Sequence, residues 1–250
     1  MALQESFEKR GIWLFRYRSV IPIFILVIGA ALYARLKLVH GDTLIEQQPY
    51  EFYYELFCLL IGLVGLVIRA YTVGHTPRDT SGRNVDKQIA ETLNTTGIYS
   101  VVRHPLYLGN FFMWLGPAML TGHPWFILVF CLFYWIYYER IMYAEEQFLR
   151  GKFGDAYLEW SEKVPPFIPR FKGFVKSDLS FSWKKVLKKE KNGFAALFLI
   201  FCVFDVGGEV IQKESDYNLV FIAGCALSIL AYVILKILKT RTKVLDETGR

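Results

Sequence analysis

Histidine and cysteine are both scarce, with four of each in 250 residues. Cys58, Cys131, Cys202 and Cys225 each sit inside an apolar run, and no pair has CxxC spacing. That excludes a disulfide framework and leaves no metal site to expect; these are small apolar packing residues. No internal repeat and no mid-membrane helix break is visible, which argues against a transporter built from repeats. No small-residue cleavage site follows the first apolar run, which passes instead into Arg35 and Lys37, so no cleavable signal peptide is expected. Lysine and arginine are missing from one loop, between Val39 and Phe52, where Asp42, Glu46 and Glu51 fall. What abounds is apolar and aromatic. Hydrophobic residues make up 54% of the chain, with 21 Phe, 15 Tyr and 6 Trp. Soluble domains of this size rarely reach that level, and membrane proteins gather such residues in cores and interfacial belts.

About six segments have the length and apolarity of membrane spans: roughly 20–38, 53–73, 106–121, 124–141, 193–212 and 218–238. The third is short, and the Thr121–Pro124 link to the fourth allows only a tight hairpin. Basic residues crowd the leader (Lys9, Arg10, Arg16, Arg18), the segment 74–105, the stretch 143–192 and the tail (Lys239, Arg241, Lys243). With the outer loop free of them, the positive-inside rule predicts an even number of spans and both termini in the cytoplasm. The net charge of +6 suits loops facing anionic lipid rather than nucleic acid, because the basic residues flank the spans. The expected fold is all-α, a polytopic membrane bundle with a cytoplasmic pocket. The chain divides into a two-span region with a basic loop (1–94), a core (95–170), an interfacial basic helix (171–192) and a two-span hairpin with tail (193–250).

Within the first basic loop, the segment VDKQIAETL reads as a short helix with Asn84 as N-cap. Tyr99–Arg103 reads as extended. The fourth span continues as a helix until Gly151 and Gly154 break it, a short aromatic helix follows around Tyr157 and Trp160, and three prolines close the segment. From Lys172 to Asn192 an amphipathic helix is expected, with Val186 and Leu187 toward lipid and Lys184, Lys185, Lys188 and Lys189 toward phosphates.

The chemistry concentrates at Gly97–Gly109, GIYSVVRHPLYLG. Pro105 fits the first helical position, where its missing N–H is no loss, and it holds His104 extended. The open amides of that helix start attract an anion, and Arg103 adds a full charge. Tyr107 adds a hydroxyl one turn in, and Gly109 allows a ligand or another helix to come close. Glu145 and Glu146 fall just past the end of the fourth span. If the third and fourth spans form a hairpin, these acids face Arg103 and His104 across a narrow cleft, suited to a zwitterion. The same residues could equally form an ordinary ion-pair cluster at the membrane surface.

These two blocks, GIYSVVRHPLYLGNFFMWLG and EEQFLRGKFGDAYLEWSEKVPPFIP, resemble the isoprenylcysteine carboxyl methyltransferase and phospholipid methyltransferase superfamily over roughly residues 95–170. The resemblance implies an integral membrane enzyme that uses S-adenosylmethionine on the cytoplasmic side. It implies a cofactor site built from Tyr99, Val101, Arg103, His104, Pro105, Tyr107, Leu108, Gly109, Glu145, Glu146, Tyr157 and Trp160. Phe153, Pro165 and Pro166 would help close it. Its catalytic residues would be His104, Glu146 and Arg103. No GxGxxG fingerprint of the soluble methyltransferases is present.

For the acceptor, Arg69, His75, Arg78, Arg83 and Asn84 lie at and beyond the end of the second span. They are expected to grip an anionic headgroup, since arginine's planar fork suits phosphate and carboxylate. Plain positive-inside loop charge is the other reading. An anionic clamp favours O-methylation of a lipid or lipidated substrate over N-methylation of an ethanolamine headgroup. A bacterial inner-membrane enzyme acting on lipid A phosphate is the most concrete such type, and the residues do not separate it from a prenylcysteine carboxylate enzyme. No obligate protein partner is expected. A transporter or regulatory protein that keeps the pocket without chemistry is the alternative class. Outside the block, Asp205 and Glu209 lie one turn apart within the fifth span, at a depth where Arg35 and Lys37 could neutralise them.

Overall fold

The computed structural model describes residues 2–18, 20–40, 49–77, 90–247 and 249. The expected helix at VDKQIAETL lies outside the described residues. The described residues form eight α-helices: α1 (Leu3–Arg16), α2 (Ile21–His40), α3 (Glu51–Gly74), α4 (Pro105–Leu120), α5 (Pro124–Phe153), α6 (Asp155–Lys163), α7 (Trp183–Gln212) and α8 (Leu219–Arg241). Among them α2, α3, α5, α7 and α8 are long and apolar enough to cross a membrane. The protein is therefore an all-α, multi-pass integral membrane protein. The third of the six expected spans is α4, which has only 16 residues. At 1.5 Å per residue it measures about 24 Å, short of a ~30 Å hydrocarbon core.

Close packing against α3 makes the short helix stable. A Cβ added at Gly65 would lie 2.4 Å from the Gly109 carbonyl oxygen, and one at Gly116 would lie 2.6 Å from that of Cys58. Without side chains the two backbones touch, which is how helices associate where lipid removes the hydrophobic driving force. At the α4 start Pro105 occupies N1. After Gly122 the chain turns back, and His123 caps α5 by accepting the Phe126 N–H at Nδ1, 3.2 Å away. The main core cluster lies between α4 and α5, with Phe15 and Phe167 added from outside the hairpin.

Three local expectations change. Gly97–Ser100 winds into a 3-10 turn instead of an extended strand. Helix α5 runs through Gly151 and stops only at Gly154, whose φ of 55° belongs to the left-handed region. The basic stretch is not a separate surface helix: Trp183 starts α7, which continues unbroken into the fifth span. Helical periodicity then turns Lys185, Val186, Glu190 and Leu197 inward, and all four are buried. The Lys185 ammonium caps the end of α3, donating to the carbonyls of Thr76 (2.6 Å) and Pro77 (2.9 Å).

The far end of the bundle holds the two intramembrane acids. Asp205 accepts the Asn218 backbone N–H at 3.1 and 3.2 Å, and Glu209 accepts that of Asp216 at 2.7 Å. The hydrogen bonds of these acids thus fix the α7–α8 turn, while Lys37 donates to the Gln212 side chain at 2.5 Å. At the near end, Phe7 of α1 meets Tyr143 and Lys188 pairs with Asp246 at 2.6 Å, so leader and tail share one end.

Gly65→Ala should force α3 and α4 apart and lower the thermal midpoint, costing about 1–3 kcal/mol as overpacking does. Gly151→Ala, with nothing within 4 Å of the added carbon, should match or exceed the wild type in the same melting assay in detergent.

Candidate functional site

The link between α6 and α7 doubles back on the segment before α4. The Arg103 N–H donates to the Pro165 carbonyl at 2.9 Å and the His104 N–H to that of Pro166 at 3.1 Å. Arg170 N–H returns to the Val101 carbonyl at 3.0 Å. Prolines supply these acceptors well because they bring no N–H of their own and a fixed φ. The two backbone bonds set the direction in which Arg103 and His104 leave the chain.

Both side chains meet the acids of α5. Arg103 Nη1 lies 3.1 Å from Glu146 Oε2, and His104 Nε2 lies 2.9 Å from Glu146 Oε1. The other ring nitrogen, Nδ1, lies 3.5 Å from Glu145 Oε2. His104 is buried, and burial alone would depress its pKa. The hydrogen bonds and charges of Glu145 and Glu146 outweigh that, and the net shift is upward from 6.5. Each ring nitrogen thus faces a carboxylate oxygen.

Tyrosines back this cluster. His104 stacks on Tyr107 with ring centroids 5.6 Å apart. Tyr107 packs on Tyr138 at 4.9 Å, and Tyr138 stacks on Tyr134 at 4.1 Å. The Tyr134 hydroxyl donates to the Tyr107 carbonyl at 2.7 Å. On the opposite side α6 brings Tyr157, whose ring meets Trp160, and the Trp160 indole N–H donates to the Tyr99 carbonyl at 3.1 Å. Burial pushes the Tyr99 and Tyr157 hydroxyls up, so both stay protonated. Two buried polar atoms, the Tyr157 hydroxyl and Arg103 Nε, have no hydrogen-bond partner.

Of the cofactor residues expected from the sequence, Arg103, His104, Tyr107, Glu145, Glu146 and Tyr157 thus converge. Tyr99 and Trp160 meet behind them, and Pro105 starts the helix. Val101 and Leu108 are buried packing residues, and Gly109 faces α3: a Cβ there would meet Arg69 Cγ at 2.5 Å.

The acceptor residues are placed differently. Arg69 is held in a fork by Glu190 of α7, with Nε and Nη2 each 2.8 Å from a carboxylate oxygen, and Nη1 donates to Asn110 at 2.6 Å. It ties α3, α4 and α7 together instead of presenting its guanidinium to an anion. His75 turns back to the Tyr71 carbonyl at 3.0 Å and packs on Phe181. Arg78, Arg83 and Asn84 lie outside the described residues. Sequence reasoning counted Arg18 only as a topological charge. In the fold its guanidinium lies 3.7 Å over the Phe15 ring and donates to the Phe15 carbonyl at 3.2 Å. The Arg18 charge also acts on Glu145, Tyr107, Tyr137 and Tyr138.

Beneath the tyrosine layer a small apolar cavity of about 20 Å3 lies between α2, α4 and α5. Pro22, Ile25 and Leu26 form one wall, Trp114 another, and Tyr134, Tyr137 and Tyr138 line it next to the cluster.

Fold and site together define a multi-pass helical membrane protein with a mixed-charge pocket at one end of its bundle. Residues 54–156 match the family described as phospholipid methyltransferase. The chain is 43% identical over 90 residues to a protein-S-isoprenylcysteine O-methyltransferase of Schizosaccharomyces pombe, covering 36% of each chain. The human enzyme of that name is 35% identical over 94 residues, or 38% of this chain and 33% of the relative. That of Saccharomyces cerevisiae is 32% identical over 114 residues, or 45% and 47%. The chain thus spans between about a third and a half of the length of these relatives. These similarities lend no support to a lipid A phosphate enzyme. No solved structure matches.

Two outcomes test this geometry. Arg69→Ala strands the Glu190 carboxylate, only 6% exposed, and should cost about 3–5 kcal/mol of stability as a broken buried pair does; thermal melting checks it. Because the folded pKa of His104 lies above 6.5, its stabilisation is complete below that pH and fades as pH rises through the folded value. The melting-temperature gap between wild type and His104→Asn should therefore shrink as pH rises above 6.5 and through the folded pKa of His104.

Proposed function

We propose that this protein is a membrane methyltransferase that binds S-adenosylmethionine in the Arg103–His104–Glu145–Glu146 pocket and methylates the carboxylate of a prenylated cysteine. The observation that carries the reading is the meeting of Arg103 and His104 with both glutamates inside the matched family segment. The amino-acid end of the donor carries a carboxylate and an ammonium, and this pocket offers cations and carboxylates side by side. The buried Tyr157 hydroxyl and Arg103 Nε, each without a partner, are groups that a polar ligand would satisfy. The residues present therefore fit the donor.

When bound, the donor supplies a methyl on a sulfonium, transferred in one in-line displacement. The chain's residues then have to position and desolvate. Arg103 holds the donor's carboxylate, Glu145 or Glu146 its ammonium, with His104 positioning both glutamates, and Tyr157 with Trp160 closes over the rest. Cationic donor and anionic acceptor lose charge together, so a water-poor pocket favours the step by removing hydration the nucleophile would otherwise keep. A carboxylate acceptor requires no general base. An amine acceptor does, and His104 serves poorly because both its ring nitrogens already face carboxylates. That observation favours O-methylation. The names of the relatives favour the prenylcysteine carboxylate. By the positive-inside rule the pocket faces the cytoplasm, with both termini on that side.

His104→Ala and Glu146→Ala should each abolish S-adenosylmethionine binding in calorimetry while the protein still elutes as a folded species. Incubating the wild type with methyl-labelled donor and N-acetyl-S-farnesylcysteine should yield a base-labile methyl ester. A label that appears only on an amine headgroup would reject the carboxylate reading.

A further inference from the structure

The segment between α6 and α7 has two faces with opposite tasks. Its inward face holds the site through backbone bonds. Besides the bonds of Pro165, Pro166 and Arg170, the Gly97 N–H donates to the Val175 carbonyl at 2.8 Å and the Val175 N–H to Ser100 Oγ at 3.0 Å. Its outward face is apolar and, among the described residues, left open. Ile168 is 77% exposed and Phe171 76%, with Phe174 and Val175 each half-exposed. The exposed Lys172 and Lys176 interleave with the two phenylalanines, and basic residues beside aromatic ones suit an anionic headgroup layer.

Phe167 shows where the outward face lies. Its ring is buried, edge-on to Phe111 of α4 at 6.0 Å and to Trp135 of α5 at 5.7 Å. At 1.5 Å per residue, Phe111 lies about 9 Å into α4 from Pro105, and Trp135 about 15 Å along α5 from Glu145. The ring therefore reaches past the charged cluster to the level of the α5 span. Trp135 and Ile136 are themselves exposed on that span, and exposed apolar residues of a span face lipid. The outward face of the segment thus continues the lipid-facing surface of α5. Non-helical backbone is tolerated at such depth only where protein satisfies its polar groups. This segment meets that condition, because the site engages the backbone of Pro165, Pro166, Arg170 and Val175. Its three prolines, Pro165, Pro166 and Pro169, carry no N–H to satisfy.

We infer that residues 165–175 form a membrane-inserted strap whose Ile168 and Phe171 lie among the acyl chains just beneath anionic headgroups. That lipid contact keeps the strap's carbonyls on the amides of Arg103 and His104. The bilayer thus completes a frame of the pocket that the spans leave open on one side. The inference does not depend on which ligand the pocket takes.

The test traps what lies against the strap, on the full chain in nanodiscs of phosphatidylethanolamine and phosphatidylglycerol. A photoreactive benzoylphenylalanine replaces Ile168, Phe171 or, as an aqueous control, the exposed Glu159 of α6. After irradiation, mass spectrometry should find lipid adducts at 168 and 171 at roughly tenfold the yield at 159. Adducts to a second copy or to another segment of this chain overturn the inference, as does an equal lipid yield at all three positions. Amide hydrogen exchange in the same discs reads the coupling to the site. Ile168→Ser combined with Phe171→Ser should speed exchange of the Arg103 and His104 amides roughly tenfold, with α8 unchanged. Ile168→Leu combined with Phe171→Leu should match the wild type. Wild-type exchange of those two amides in the serine variant overturns the coupling.

Discussion

Two adjacent glutamates at the end of one span meet an arginine and a histidine at the start of another, and much of the molecule serves that meeting. Four charged groups gathered at a membrane boundary would repel or hydrate unless something fixed their spacing. The Pro165 and Pro166 carbonyls fix one side by holding the amides of Arg103 and His104. The tyrosine layer of α4 and α5 fixes the other, stacking under the imidazole and excluding water from below. With its spacing enforced, the histidine meets both glutamates at once.

The hairpin of α4 and α5 can present this pocket only because α4 is short and pressed against α3. Glycines on facing helices remove the side chains that would keep the backbones apart. The contact places Arg69 over Gly109, where Glu190 of α7 neutralises it and Asn110 takes its last donor. A charge that reads as surface bait is thus spent on joining three helices. The carboxyl-terminal hairpin, which carries none of the motif residues, is joined to the core through this same pair.

The division of labour along the chain follows. The matched segment supplies the pocket that fits a methyl donor, and the prolines after it close the frame. The amino-terminal helices, outside that segment, supply one wall of the apolar cavity.

Composition and hydropathy by themselves determined that the chain is a helical membrane protein, because burying so many apolar residues in lipid requires helices that satisfy their own backbone. The RHP block and the Glu145–Glu146 pair were also legible, since proline at a helix start and acids at a span end are local signals. Arg69, Arg18 and Lys185 were not. On paper all three are basic residues beside spans, indistinguishable from topological charge. Only the fold decided that Arg69 and Lys185 turn inward to glutamate and carbonyl partners while Arg18 folds back over the Phe15 ring. The same holds for Gly109, whose missing side chain serves a helix contact. A side chain's role depends on what lies opposite it, and what lies opposite comes from residues 40 to 180 positions away in sequence, beyond the reach of any local pattern.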